Sequence, residues 1–90
     1  MILGGQKFKG NLSNTHDFNT IGEGIYNYSA NSIPAHAPSG LSVSGIIECC
    51  FLTSNENVRM QTITASNGNL FVRIRYSSSD TWFNWKQIYP

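Results

Sequence analysis

The triplet Asn67-Gly68-Asn69 constrains this chain more than any other feature. Asn and Gly tolerate positive φ at low cost, so such a pair between two extended stretches marks a tight β-hairpin. Both stretches are present. Arg59 to Ala65 alternates with hydroxyl and amide residues, and Leu70 to Tyr76 follows as the return strand. In an extended chain successive side chains point to opposite faces. Leu70, Val72, Ile74 and Tyr76 therefore share one face, and Phe71, Arg73 and Arg75 share the other.

The remaining extended segments are short and bounded by turn formers. Phe8 to Leu12 is a candidate strand, followed by Asn11, Ser13, Asn14 and Thr15 as turn residues. Asp17 caps a brief helical turn or opens an ordered loop. Gly22 and Gly24 precede a strand Ile25 to Tyr28, with Tyr26 and Tyr28 on one face and Ile25 and Asn27 on the other. Pro34 and Pro38 make Ala30 to Gly40 an irregular loop. Gly45 precedes the most apolar strand, Ile46 to Thr53, which is expected to be central. Ser54 to Asn57 and Ser77 to Thr81 read as turns, and Trp82 to Tyr89 reads as the last strand. Helix formers are scarce, whereas β-branched and aromatic residues are common. The prediction is an all-β domain. It is a small antiparallel β-sandwich or meander with irregular loops and at most one short helical turn. Residues 1–10 are expected to be a flexible start or linker remnant, and residues 11–90 the β-rich domain.

Charge excludes some partners. The net charge is +1, and six basic residues scattered along the chain form no stripe, so nucleic acid is not expected as a partner. Charged residues make up only 12 % of the chain, about half the usual share. The surface must then be built from hydroxyls and amides, which repel other copies weakly. No apolar run approaches the ~20 residues of a membrane span, so membrane insertion is not expected. Lys7 and Lys9 lack the apolar block of a signal peptide. Cys49 and Cys50 are neighbours and, in a strand, point to opposite faces. They read as two small apolar thiols in or near the core, with no second Cys group or paired His for a metal.

Catalytic constellations are missing from the pattern. His16, His36, Asp17, Glu23, Glu48, Glu56 and Asp80 form no spacing with known mechanics. No enzyme activity, cofactor or metal is expected. His36, between Ala35 and Ala37, reads as a loop residue, and His16 beside Asp17 as a turn cap.

Binding fits better. Tyr26, Tyr28, Tyr76, Trp82, Phe83, Trp85 and Tyr89 exceed what so small a domain can hide. Exposed Trp and Tyr rings stack on sugars while Asn, Arg and Asp supply hydrogen bonds. Glycan contact is expected at Trp82 with Tyr28 as stacking rings and Asp80 as acceptor of hydroxyl protons. Trp85 is expected in the core. Arg73 and Arg75 are expected to stack on the tryptophans, with Arg73 a structural partner of that cluster.

The ordered residues also carry a resemblance. Asp17-Phe18-Asn19-Thr20-Ile21 is followed by Gly24-Ile25-Tyr26, Ala37-Pro38, and Gly45 before an apolar strand. Gln61 comes next, then Gly68 with Phe71-Val72-Arg73, and finally Trp82-x-x-Trp85-Lys86. From about Leu12 to Ile88 the chain resembles the knob domain of R-type pyocin tail fibres and of many bacteriophage tail fibres. Phe18 stands where Leu is more usual, and Cys49-Cys50 is not a family feature. The resemblance implies a β-rich knob near the distal end of a virion tail or tailocin fibre. Such fibres are usually trimers, made in the bacterial cytoplasm, and meet bacterial surface polysaccharide. It also implies structural duties: Asp17 and Asn19 ordering their own turn, Gly24 permitting a tight backbone, Tyr26 packing, and Trp85 filling the core. Two alternatives share the residue pattern. One is a carbohydrate-binding module of a secreted bacterial enzyme; the other is a trimerisation or spacer domain without ligand.

Overall fold

The computed structural model describes residues 7–52, 58–76 and 81–89. Six strands form one sheet, in sequence order: β1 (Phe8–Leu12), β2 (Gly24–Tyr28), β3 (Gly45–Phe51), β4 (Arg59–Ala65), β5 (Leu70–Arg75) and β6 (Lys86–Tyr89). From β2 to β6 every neighbour is antiparallel, so the meander expected from the turn spacing is what forms. β3, the most apolar strand, is internal. No helix is present among the described residues.

Three details differ from the sequence expectation. First, β1 runs parallel to β2, not antiparallel. A parallel pair needs a crossover of about a dozen residues, and residues 13–23 supply it. Side-chain alternation is the same in both orientations and could not distinguish them. Second, no second sheet faces the first among the described residues, so the sandwich alternative is not adopted. Loops close the core instead. Third, the last strand is shorter than Trp82 to Tyr89. Trp82 makes a single bridge to Arg75, and the ladder resumes only at Lys86. Between them, off the ladder, Trp85 donates its indole N–H to the His36 carbonyl (2.8 Å). Strand β1 takes in Phe8, Lys9 and Gly10 of the segment read as a start or linker remnant. Met1 to Gln6, the Ser54 to Asn57 turn, and residues 77–80 of the Ser77 to Thr81 turn lie outside the described residues.

The hairpin between β4 and β5 follows its turn chemistry. Gly68 adopts φ 93°, Asn67 Oδ1 accepts from the Asn69 amide (3.1 Å), and the Ala65 amide closes onto the Asn69 carbonyl (2.9 Å). Cross-strand partners share a face, so the register can be read as rows across the sheet. One row of the loop-covered face joins Tyr26, Ile47, Ile63 and Phe71; the next joins Gly24, Cys49, Gln61 and Arg73; a third joins Phe51, Arg59 and Arg75. The first row is core, with Ile47 and Ile63 wholly buried. Cys49 and Cys50 are free, both buried, and fall on opposite faces as the alternation requires.

Two loops cover this face. The crossover brings in Phe18, wholly buried, and Ile21. The Phe18 ring meets Tyr28 edge-on (5.9 Å) and Trp85 edge-on (6.4 Å). Residues of the β2–β3 loop (Ile33, Ala37, Leu41) pack alongside. Backbone bonds stitch the loops together: the Phe18 amide to the Ala35 carbonyl (3.0 Å) and the Ala35 amide to the His16 carbonyl (3.0 Å). His16 also accepts from the Ser13 amide at Nδ1 (2.9 Å), closing its own turn.

Candidate functional site

The site grows from the row that ends in Arg73. Arg73 is 5 % exposed, a cation facing inward from β5. Gln61, directly opposite on β4 and wholly buried, receives the Arg73 Nε–H at Oε1 (2.9 Å). Its amide nitrogen donates to the Phe18 carbonyl (2.6 Å) and reaches Cys49 Sγ (3.7 Å). One carboxamide thus ties the sheet, the crossover loop and the buried arginine together. Sequence reasoning placed Gln61 in the motif but not in this role. Alternation puts Gln61 on one face of its strand, but the register that sets it between Cys49 and Arg73 belongs to the fold.

The tryptophans complete the surroundings of the guanidinium. The Arg75–Trp82 bridge puts Trp82 on the arginine face. Arg73 lies 4.1 Å from the Trp82 ring centre and 4.5 Å from that of Trp85. Arg75 is farther from Trp82, at 6.0 Å. The Trp-x-x-Trp spacing places two electron-rich rings against one cation. Burial pushes the Arg73 pKa down to about 10, against the opposing pull of Asp17 and Cys49, so it stays charged at neutral pH.

The crossover loop supplies the far wall. Asp17 Oδ1 accepts the Asn19 amide (2.8 Å), and the Thr20 amide returns to the Asp17 carbonyl (2.9 Å). This is an Asx turn, not a helix. The same carboxylate oxygen accepts from His36 Nδ1 (2.7 Å). His36 adopts φ 64°, with its side chain on Asp17 and its carbonyl on Trp85. Burial alone would raise the Asp17 pKa. The Asn19 and His36 bonds, with the charges of His36 and Arg73, outweigh it and hold the pKa below the ordinary 3.8. A carboxyl depressed on folding contributes stability above its unfolded value and loses it as pH falls through the folded one. Acid titration is therefore expected to loosen this loop only below about 3.8, read by the Trp85 indole N–H resonance. In Asp17→Asn that acid-dependent change is expected to vanish. An unchanged profile would mean that other carboxyls govern it.

Together Asn19, His36, Arg73, Trp82, Asn84 and Trp85 line a cleft of about 290 Å³. Trp82 and Trp85 are half-buried there. Of the residues expected to meet a glycan, Trp82 and Tyr28 border different clefts. Tyr28 is only 4 % exposed, beneath Phe18, and borders a different cleft with Asn27 and Ser44. Burial pushes its phenol up to about 12. Asp80 lies outside the described residues. Of the other motif residues, Gly24 sits at φ 144°, where an added Cβ would collide with the Lys9 side chain. Tyr26 packs against the core and donates to the Gly22 carbonyl (3.0 Å).

The opposite face of β5 carries a second feature. Ile74, Tyr76 and Phe83 are exposed, as are Ile88 and Tyr89 at the chain's end. Val72, Ile74 and Phe83 border an apolar groove of about 530 Å³. No metal-binding cluster occurs among the described residues, and they include no helix that is long and apolar enough to cross a membrane.

No protein-family model matches the sequence, and no curated protein matches it significantly. Solved structures do. The C-terminal region of the P. aeruginosa R1 pyocin fibre superposes with TM-score 0.72 at 24 % identity, covering 91 % of this chain and 21 % of that one. The corresponding region of the R2 pyocin fibre gives 0.73 at 25 % identity, covering 100 % and 25 %. The chain thus spans a fifth to a quarter of the fibre chains that it matches. In fold it is a pyocin-fibre-like, all-β domain.

Proposed function

We propose that this chain is a knob domain of a phage tail fibre or tailocin, without enzymatic activity, that contacts polysaccharide on the bacterial surface. The observation that carries the reading is the likeness to R-type pyocin fibre regions along nearly the whole chain. The half-buried indoles beside amides and a guanidinium add chemistry suited to sugars. Single-site affinity in such a shallow cleft is expected to be weak, and several copies on one fibre raise avidity without new contacts.

The test is binding of the chain to an array of purified bacterial surface polysaccharides. Wild type is expected to bind a subset. Trp82→Ala is expected to weaken that binding about tenfold, at a stability cost of about 1–2 kcal/mol from the lost cation–π contact. Full binding by folded Trp82→Ala would remove the cleft from the reading.

A second reading rests on the outer face of β5 and β6. An apolar groove rimmed by exposed Ile74 and Phe83 suits contact with another copy of the chain. On this reading the domain is a trimerisation or spacer piece. Light scattering across concentrations, read beside the polysaccharide array, separates the two: a trimer weakened by Ile74→Ser that binds no polysaccharide favours it, and a monomer throughout opposes it.

A further inference from the structure

We infer that the cleft between the two tryptophans and the Asp17–Asn19 turn takes an acidic sugar, one bearing a carboxylate and a free hydroxyl. This rests on the glycan-binding reading above and narrows it to a ligand class.

The starting point is unpartnered atoms. Four buried side-chain polar atoms have no hydrogen-bond partner among the described residues: Asn19 Oδ1, Tyr28 Oη, Arg73 Nη2 and Trp82 Nε1. Buried polar groups are almost always paired, so each orphan calls for a water or a ligand. Three of the four belong to residues lining one cleft of about 290 Å³. That volume sits at the lower end of ligand pockets and suits a single glycosyl residue.

The donor and acceptor types select the class. The residues that line the cleft carry, just beneath its surface, two unpaired donors, one of them cationic, and one unpaired acceptor. Arg73 gives its Nε–H to a neutral carboxamide and its faces to neutral rings. Asp17, the nearby anion, is engaged by the Asn19 amide and His36 Nδ1. A guanidinium so buried therefore has no hydrogen-bonded carboxylate from the described residues. Neutral hexose hydroxyls would satisfy the donors but give that charge, felt by Asp17 only through space, no hydrogen-bonded counterion. A sugar carboxylate answers it through a charge-assisted bond at Nη2, with Trp82 Nε1 as second donor and a sugar hydroxyl donating to Asn19 Oδ1.

The experiment follows the two indole N–H resonances of the intact chain during titration with methyl glucuronoside and methyl galacturonoside. Methyl glucoside, methyl galactoside and sodium acetate run beside them. A uronoside is expected to shift both resonances saturably in the millimolar range, while the neutral glycosides and acetate do not. Trp82→Phe keeps a ring over Arg73 and removes one donor; it is expected to lower uronoside affinity about tenfold. Asn19→Ala removes the acceptor and is expected to act in the same direction. Equal response to neutral glycosides overturns the acidic class and leaves the glycan reading standing. Equal response to acetate reduces the site to an adventitious anion only. No response to any probe overturns the site as a sugar site, and leaves ordered water as the partner of the three atoms. Polysaccharide binding by the chain would then still stand, placed elsewhere on the domain.

Discussion

Phe18→Ala is expected to lower the unfolding free energy by about 3–5 kcal/mol, the usual cost of emptying a buried aromatic site. A domain of this length has roughly 5–13 kcal/mol in total, so the variant should stand at the edge of folding. The reason lies in where Phe18 sits. It is wholly buried, yet it belongs to the crossover loop and not to a strand. Its ring fills the space that a second sheet would occupy and meets Tyr28 and Trp85 edge-on. Its amide holds the Ala35 carbonyl, and its carbonyl receives the Gln61 amide. Removing the ring leaves a cavity that loops, tied by those bonds, can collapse into only in part. Phe18→Leu keeps most of the volume and is expected to cost less than about 1.5 kcal/mol. Urea denaturation of both variants gives the comparison. Equal and small losses would mean that the loop does not close the core.

That dependence on a loop explains what could be read in the sequence and what could not. Local chemistry was legible. The Asn67-Gly68 turn, the alternation in Arg59 to Ala65 and Leu70 to Tyr76, and the apolar run after Gly45 all act over a few residues, and each became the element it predicted. Alternation sorts side chains into two faces without saying which face is inward. On β5 the inward face is Phe71, Arg73 and Arg75, while Ile74 and Tyr76 are exposed. Hydropathy alone would favour the reverse. What decides it is distant in sequence: Gln61 on β4 and the two tryptophans beyond β5, which make an inward guanidinium tolerable. The stacking of Arg73 on the tryptophans was legible because only the spacing of a few aromatics was needed. The placement of Tyr28 was not, since its burial depends on Phe18 arriving through a parallel crossover that no local pattern specifies.

Arg73→Met is expected to be the second costly change, by about 2–4 kcal/mol, and its partner Gln61 shows why. Methionine fills much of the same volume and removes the burden of a desolvated cation, which by itself favours the variant. Against this, Gln61 Oε1 loses its donor in a wholly buried position, and two rings lose the guanidinium between about 4 and 5 Å from their centres. The unpaired amide decides the sign, because a buried acceptor left without a partner cannot recover water. Lysine is expected to fall short as well, since a single ammonium cannot lie flat on an indole and reach Gln61 as the planar fork does. A double-mutant cycle with Gln61→Leu isolates that link. The Gln61 change should cost about 1–2 kcal/mol less in the Arg73→Met background than in the wild type, because the acceptor that it removes is already orphaned. Strict additivity would mean that the arginine is held by the indoles alone, with Gln61 serving only the Phe18 carbonyl. The Trp-x-x-Trp pair, not the row across the sheet, would then be what keeps a charge inside this small fold.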